Sequence, residues 1–166
     1  TADLAIFSGQ TAASDFLRGS LLEATLLGSG NLVLYLPEAE NGAVFNHPLI
    51  AWDGGTACVR AISAWLSMGF TPQQATILCI VDPGEDMPQP HGLENRLAWH
   101  GIKARTEKRN RGFDTVADAL IAAAQELECG MIVMGGYGRF RYSEALFGGV
   151  TRGVMQRSRI PVLMMH

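Results

Sequence analysis

The chain has 166 residues, 48% of them apolar and 17% charged, with a formal net charge of -3. That length predicts one domain of ordinary size with something attached, and the composition supplies a core while excluding a disordered tail. The charge balance excludes a large basic face for nucleic acid; the densest basic stretch, Lys103 to Arg111, is interrupted by Glu107 and reads as a solvated strand and turn.

The first 37 residues read as strand, loop, helix and strand. Glu38 to Phe45 (EAENGAVF) is a linker. His47 to Trp52 (HPLIAW) is a short apolar strand ending at Asp53-Gly54-Gly55. A helix follows from Thr56, with Val59, Ile62, Trp65 and Leu66 at helical spacing and Gly69 as its stop. Ala75 to Val81 (ATILCIV) is apolar without alternation, as in a parallel strand covered on both faces. Asp82 to Pro90 is a Pro- and Gly-rich loop, His91 to His100 a modest helix, and Ile102 to Arg109 a more exposed strand. Asp114 to Glu128 is the clearest helix, with Asp114 as the expected N-cap. Met131 to Met134 is a buried strand, followed by a glycine-rich loop and a helix from about Gly149 to Arg157. Ile160 to Met165 is the last strand, where Pro161 predicts an edge or a strand start. The alternation predicts an α/β domain with a mostly parallel sheet over roughly residues 46 to 166.

The beginning of the chain repeats its end. Ala2 to Gly9 (ADLAIFSG) matches Cys129 to Gly136 (CGMIVMGG). Gly19 to Pro37 then aligns without a gap on Gly148 to His166, bringing Ser29 onto Ser158, Val33 onto Val162 and Leu34 onto Leu163. Residues 1 to 37 thus read as the closing part of a first domain whose beginning is missing, consistent with a chain that starts at Thr1 rather than Met.

Three scattered cysteines, Cys58, Cys79 and Cys129, suit buried thiols in a reducing, cytoplasmic setting rather than disulfides or a zinc site. The four histidines form no metal-ligand spacing. No apolar run is long enough for a transmembrane helix, and no signal peptide is visible.

The chemistry concentrates in the glycine loop. Glycines at 135, 136, 138, 148 and 149 leave backbone N–H groups open to close approach by an anion, and the helix after the loop adds its positive end. Ligands of open α/β sheets bind beyond the carboxyl ends of the strands, where Asp53 would face Gly135 if their strands are neighbours. Asp53 then reaches a ribose hydroxyl, a phosphate-bound Mg²⁺ or the phosphates through water; alternatively it only makes an Asx-turn or helix cap.

Gly135-x-x-Gly138, nine residues and Gly148-Gly149 resemble the universal stress protein family, whose nucleotide-binding members carry Gly-x-x-Gly, nine residues, Gly and usually Ser or Thr. Phe147 to Thr151 (FGGVT) and Ile160 to Leu163 (IPVL) are similar to its last helix and strand. Trp52 to Gly55 and Leu78 to Asp82 resemble the ends of its first and second strands. The resemblance implies a Rossmann-like, open, mostly parallel five-stranded sheet in the order 3-2-1-4-5, with helices on both faces, of the nucleotide-binding α-hydrolase type. It implies a tandem member, with linker residues 38 to 45 and a complete domain over residues 46 to 166. It implies a stress-response role with ATP, and Mg²⁺, as ligand: Asp53 near ribose or phosphates, Ile80 near adenine, and Gly135, Gly138, Gly148, Gly149 and Val150 around ribose and phosphate. Arg139 and Arg141 are candidate phosphate contacts from the loop, and Thr151 a substitute for the hydroxyl that Gly149 lacks. Losing that hydroxyl forfeits about 0.5–1.5 kcal/mol. The first copy has Ser8, Gly9, Gln10 and Thr11 instead, and no nucleotide site is expected there.

No catalytic set is visible: there is no Ser/His/Asp arrangement and no Lys after the glycines, so slow metal-assisted ATP hydrolysis is the most the sequence allows. A second reading is an interaction module of the same fold without nucleotide, forming a homodimer or a pseudo-dimer of tandem domains through Val33 to Leu36 or Val162 to Met165. A phosphoacceptor domain using Asp53 is disfavoured, since the paired acids and late-strand Lys it needs are absent.

Overall fold

The computed structural model describes residues 3–9, 15–38, 45–112, 114–137 and 149–166. In chain order these form β1 (Leu4–Ser8), α1 (Asp15–Ser29), β2 (Leu32–Leu36), β3 (Pro48–Ala51), α2 (Thr56–Ser67), β4 (Gln74–Val81), α3 (Leu93–Trp99), β5 (Lys103–Asn110), α4 (Val116–Glu126), β6 (Met131–Gly135), α5 (Gly149–Arg157) and β7 (Val162–Met165). The strands make one sheet in the order β1-β2-β7-β6-β3-β4-β5, parallel except for the β2–β7 pair.

The expected five strands are therefore seven in one sheet. Within residues 46–166 the strands run β5-β4-β3-β6-β7; β2 and β1 extend that sheet because Val33–Tyr35 pair with Val162–Met164. Of the two pairings expected for these apolar strands, a homodimer or a pseudo-dimer of tandem repeats, the chain shows the second, with β2 on β7. Both lie inside the sheet, so neither offers an edge for a dimer.

Helices cover both faces. On one, Leu22 and Leu26 of α1, Leu120, Ala123 and Ala124 of α4 and Val154 of α5 pack on Val33, Ile132 and Val162. On the other, Ile62, Trp65 and Leu66 of α2 and Leu93 and Leu97 of α3 pack on Ile50, Ile77, Val133 and Leu163. Burial on both faces explains why β3, β4 and β6 are nearly continuous apolar runs. Val59 departs from the expected helix face: it is 41% exposed, and Ala57, Cys58 and Ala61 take the contact instead. Their small side chains let α2 approach the sheet closely. The N-cap of α4 is Thr115 rather than Asp114, because the extended backbone of Thr115 aims its Oγ1 at the Asp118 N–H (3.2 Å). Pro161 immediately precedes β7 and marks a strand start, not an edge.

β1-α1-β2 and β6-α5-β7 share one register. Ala5 pairs with Val33 and Ser8 with Leu36, as Ile132 pairs with Val162 and Gly135 with Met165. Gly9 N–H donates to the Leu36 carbonyl and Gly136 N–H to the Met165 carbonyl, both at 2.8 Å. The antiparallel β2–β7 junction is centred on Leu34 opposite Leu163, the two residues that the sequence repeat equates. An approximate two-fold axis therefore passes between them.

Candidate functional site

The site lies at the carboxyl ends of β4, β3 and β6, three neighbouring parallel strands. Ala51 is level with Leu78 on one side and Met134 on the other. Asp53 lies two residues beyond Ala51, Ile80 two beyond Leu78 and Gly135 one beyond Met134. The sequence-predicted Asp53, Ile80 and Gly135 are thus brought together along one end of the sheet.

Each wall has a local cause. After β3, Trp52 N–H bonds to the Leu78 carbonyl (2.8 Å), and its indole Nε1–H donates to the Pro88 carbonyl (2.8 Å). That second bond holds the loop after β4 against the crevice. Gly54 turns the chain with φ +72°, and the Asp53 carboxylate folds back to accept from the Gly55 N–H (2.8 Å). This Asx-turn launches α2. Cys58, in the first turn of α2, is fully buried and donates its thiol to the Ala51 carbonyl (3.2 Å). Burial, reinforced by the nearby Asp53 carboxylate, pushes that thiol up to about 12. It is an inert packing group rather than a nucleophile at neutral pH.

Opposite stands the end of β6. A side chain on Gly135 would place Cβ 2.8 Å from the Cys58 backbone nitrogen and 3.0 Å from Ala57 Cβ. Gly135 is therefore required by the close approach of α2. Gly136 N–H is tied to Met165, and its carbonyl accepts from His166 Nδ1 (3.0 Å), which places a proton on that ring nitrogen. Tyr137 adopts φ +52°, and its N–H donates to Thr151 Oγ1 (3.2 Å). Thr151 is buried at 3% exposure, so its side chain anchors the start of the loop. Gly149 and Val150 open α5, whose positive end faces the loop; Gly149 is exposed and Val150 packs partly against the core. Gly138, Arg139, Arg141 and Gly148 lie outside the described residues.

Trp52, Cys58, Tyr137 and His166 shape this end of the sheet, and of these the sequence marked only Cys58, as a buried thiol, and Trp52, as a strand end. Trp52 and His166 act through backbone carbonyls far along the chain, which no local spacing reveals. Tyr137, a non-glycine residue with positive φ beside Gly136, is visible only in the backbone. Among the described residues, no group of three or more His, Cys, Asp or Glu side chains could hold a metal ion, and no helix is long and apolar enough to cross a membrane. A groove of about 600 Å³, lined by Phe45, Asn46 and Phe70 to Gln74, lies at the opposite end of the sheet.

Fold and candidate site define a doubly wound α/β protein whose strand order reverses between β3 and β6, the place where ligands of such sheets bind. Residues 75–166, over half of the chain, match the universal stress protein family, and the chain belongs to that family. A universal stress protein from Archaeoglobus fulgidus DSM 4304 superimposes with a TM-score of 0.69 at 18% identity, over 98% of this chain and 60% of its own. A protein of unknown function from Pseudomonas aeruginosa PAO1 does so with a TM-score of 0.60 at 17% identity, over 98% of this chain and 62% of its own. UspA from Lactobacillus plantarum covers 75% of this chain and all of its own, with a TM-score of 0.56 and 17% identity. At these identities the likeness is one of fold, and the chain spans under two thirds of the length of the first two. None of the curated proteins matches this sequence.

Proposed function

We propose that the crevice at the carboxyl ends of β4, β3 and β6 binds an adenine nucleotide, ATP with Mg²⁺, and that the protein serves a regulatory role in the cytoplasmic stress response. The supporting observation is that Asp53, Ile80 and Gly135 lie within two residues of the paired Ala51, Leu78 and Met134 of adjacent parallel strands, with Tyr137 N–H bonded to Thr151 in the first turn of α5. In this reading the backbone at Ile80 meets adenine and Asp53 meets ribose or the metal-bound phosphates. Gly135, Gly138, Gly148, Gly149 and Val150 surround ribose and phosphate, Arg139 and Arg141 supply charge, and Thr151 holds the loop rather than the ligand. Residues 1–37 are the closing unit of a second copy of the domain, joined by residues 38–45; the shared register supports this. The test is extraction of bound nucleotide, with thermal denaturation in ATP and Mg²⁺. At 100 times Kd the nucleotide adds about 2.7 kcal/mol of stability, and no shift at millimolar ATP overturns the reading.

Two observations favour an interaction module without nucleotide: Gly135 is explained by packing against α2, and Gly149 offers no hydroxyl. That reading predicts no bound nucleotide and no ATP-dependent shift.

A further inference from the structure

The segment from Asp82 to Pro90 follows β4, two residues beyond Ile80, at the carboxyl end of the sheet. Its backbone is restrained along its length. Pro83 and Gly84 form the middle of a tight turn that the Glu85 N–H closes on the Asp82 carbonyl (3.0 Å), with Gly84 at φ +87°. Pro83, Pro88 and Pro90 fix φ at their own positions. Three anchors tie the segment down. Arg111, just after β5, pairs with Asp82 (2.7 Å), and Lys108 Nζ of β5 donates to the Glu85 carbonyl (2.9 Å). From the end of β3, the Trp52 indole N–H donates to the Pro88 carbonyl (2.8 Å). The first two anchors lie in solvent, where such contacts contribute little and salt weakens them. The indole packs on the core beneath α2 and α3, so its bond is partly shielded from water and holds the segment best.

Resting on the nucleotide reading above, we propose that Trp52 is a positioning residue for the base. By tying Pro88 to the end of β3, it fixes the Asp82–Pro90 segment as a wall of the adenine slot at Ile80. Trp52 directly precedes Asp53, so one stretch of chain sets both the wall for the base and the carboxylate for ribose or phosphates. A wall fixed before the ligand arrives adds no ordering cost on binding. The strand order puts β4 on one side of β3, and β6 with its glycine loop on the other. A loosened wall therefore weakens the hold on the base and spares the hold on the phosphates.

The test compares the parent with Trp52→Phe, which keeps a ring and removes the N–H. Calorimetric titrations use ATP and tripolyphosphate, each with Mg²⁺, and hydrogen exchange is followed without ligand. The expected result is an ATP affinity lower by about 2- to 12-fold, the range set by one hydrogen bond, with tripolyphosphate affinity unchanged. Amides of the Asp82–Pro90 segment exchange faster, while those of β3, β4 and β6 keep their rates. If the parent binds ATP and the variant binds it equally well, this proposal is overturned and the nucleotide reading stands. An equal loss for tripolyphosphate, or faster exchange throughout the sheet, also overturns it, because Trp52 then supports the fold at large. A parent that binds no ATP overturns the nucleotide reading and this proposal with it. If the variant does not fold, the parent decides. A bond that favours ATP is favoured by ATP in turn, so saturating ATP must slow exchange of the Trp52 indole proton and of the segment's amides; unchanged exchange there overturns the proposal.

Discussion

Gly135→Ala tests whether α2 and the end of β6 are locked together. The added methyl would sit 2.8 Å from the Cys58 backbone nitrogen and 3.0 Å from Ala57 Cβ. Neither neighbour is the free end of a flexible side chain. α2 is held against the sheet by Ile62, Trp65 and Leu66, all buried, so it cannot lift locally without opening that core. Overpacking of this kind costs about 1–3 kcal/mol, or about 2–12 °C in Tm for a protein of this size. Replacing glycine also restrains the unfolded chain, which returns about 0.4–1 kcal/mol and draws the result toward the lower end. Gly136→Ala is the control. Its methyl meets the methyl ends of Leu26 at 3.3 Å, which can turn aside, and the Met165 carbonyl oxygen at 3.7 Å, an ordinary contact, so its Tm stays within about 2 °C of the parent. The assay is thermal denaturation followed by circular dichroism. A Gly135→Ala protein as stable as the Gly136→Ala control refutes the packing account and makes Gly135 a residue kept for its ligand.

Four further outcomes follow from the same geometry. Gly149→Ser restores the hydroxyl expected at the start of α5 and, by calorimetric titration, tightens ATP binding by about 2- to 12-fold, one added hydrogen bond; unchanged affinity removes α5 from the phosphate site. Asp53→Asn keeps an acceptor for the Gly55 N–H and holds Tm while weakening ATP binding, whereas Asp53→Ala loses both; equal ATP affinity in parent and Asn variant leaves Asp53 with only its turn. His47 is buried against Thr76 (3.0 Å), and burial, with Arg105 nearby, lowers its pKa below the usual 6.5. Its contribution to stability is therefore full above pH 6.5 and declines as the pH falls toward the folded value; urea titrations from pH 7.5 to about 5 should show this slope, and His47→Gln should flatten it. Burial raises the thiols of Cys58 to about 12 and Cys129 to about 11, so a thiol reagent at pH 8 should label neither until urea is added; rapid labelling of Cys58 in the native protein would contradict the packing of α2.

The alternation of apolar runs and helical faces was legible in the sequence because burial on both sides imposes it. β4 reads as an uninterrupted apolar run since α2 and α3 cover one face and α4 the other. The site was legible in part. Asp53, Ile80 and Gly135 stand at strand ends, and the order of parallel strands decides which ends are neighbours. The partners that hold the loop were not legible. Thr151 reaches back to Tyr137, and His166 to Gly136, through single hydrogen bonds between residues 14 and 30 apart. The sequence offered β2 and β7 as pairing strands but did not decide between a partner inside and one outside the chain, since apolar strands with open edges suit both.

The repeat separates what the fold requires from what a ligand would require. Gly9 and Gly136 are equivalent, both glycine, and both donate to the carbonyl of the neighbouring strand's last residue. At Gly9 a side chain would lie 2.8 Å from the Glu38 nitrogen, so backbone crowding alone accounts for that glycine. The next pair differs: Gly135 has become Ser8. Above Gly135 lies α2; in β1, Ser8 is exposed and no helix among the described residues covers it. Glycine at this position follows the covering helix rather than the β-α-β unit that both halves share. The phosphate site proposed at the β6–α5 loop thus includes a glycine that packing already demands. Any requirement set by the nucleotide itself must rest on positions that packing leaves open, and among the described residues Gly149 at the exposed start of α5 is such a position.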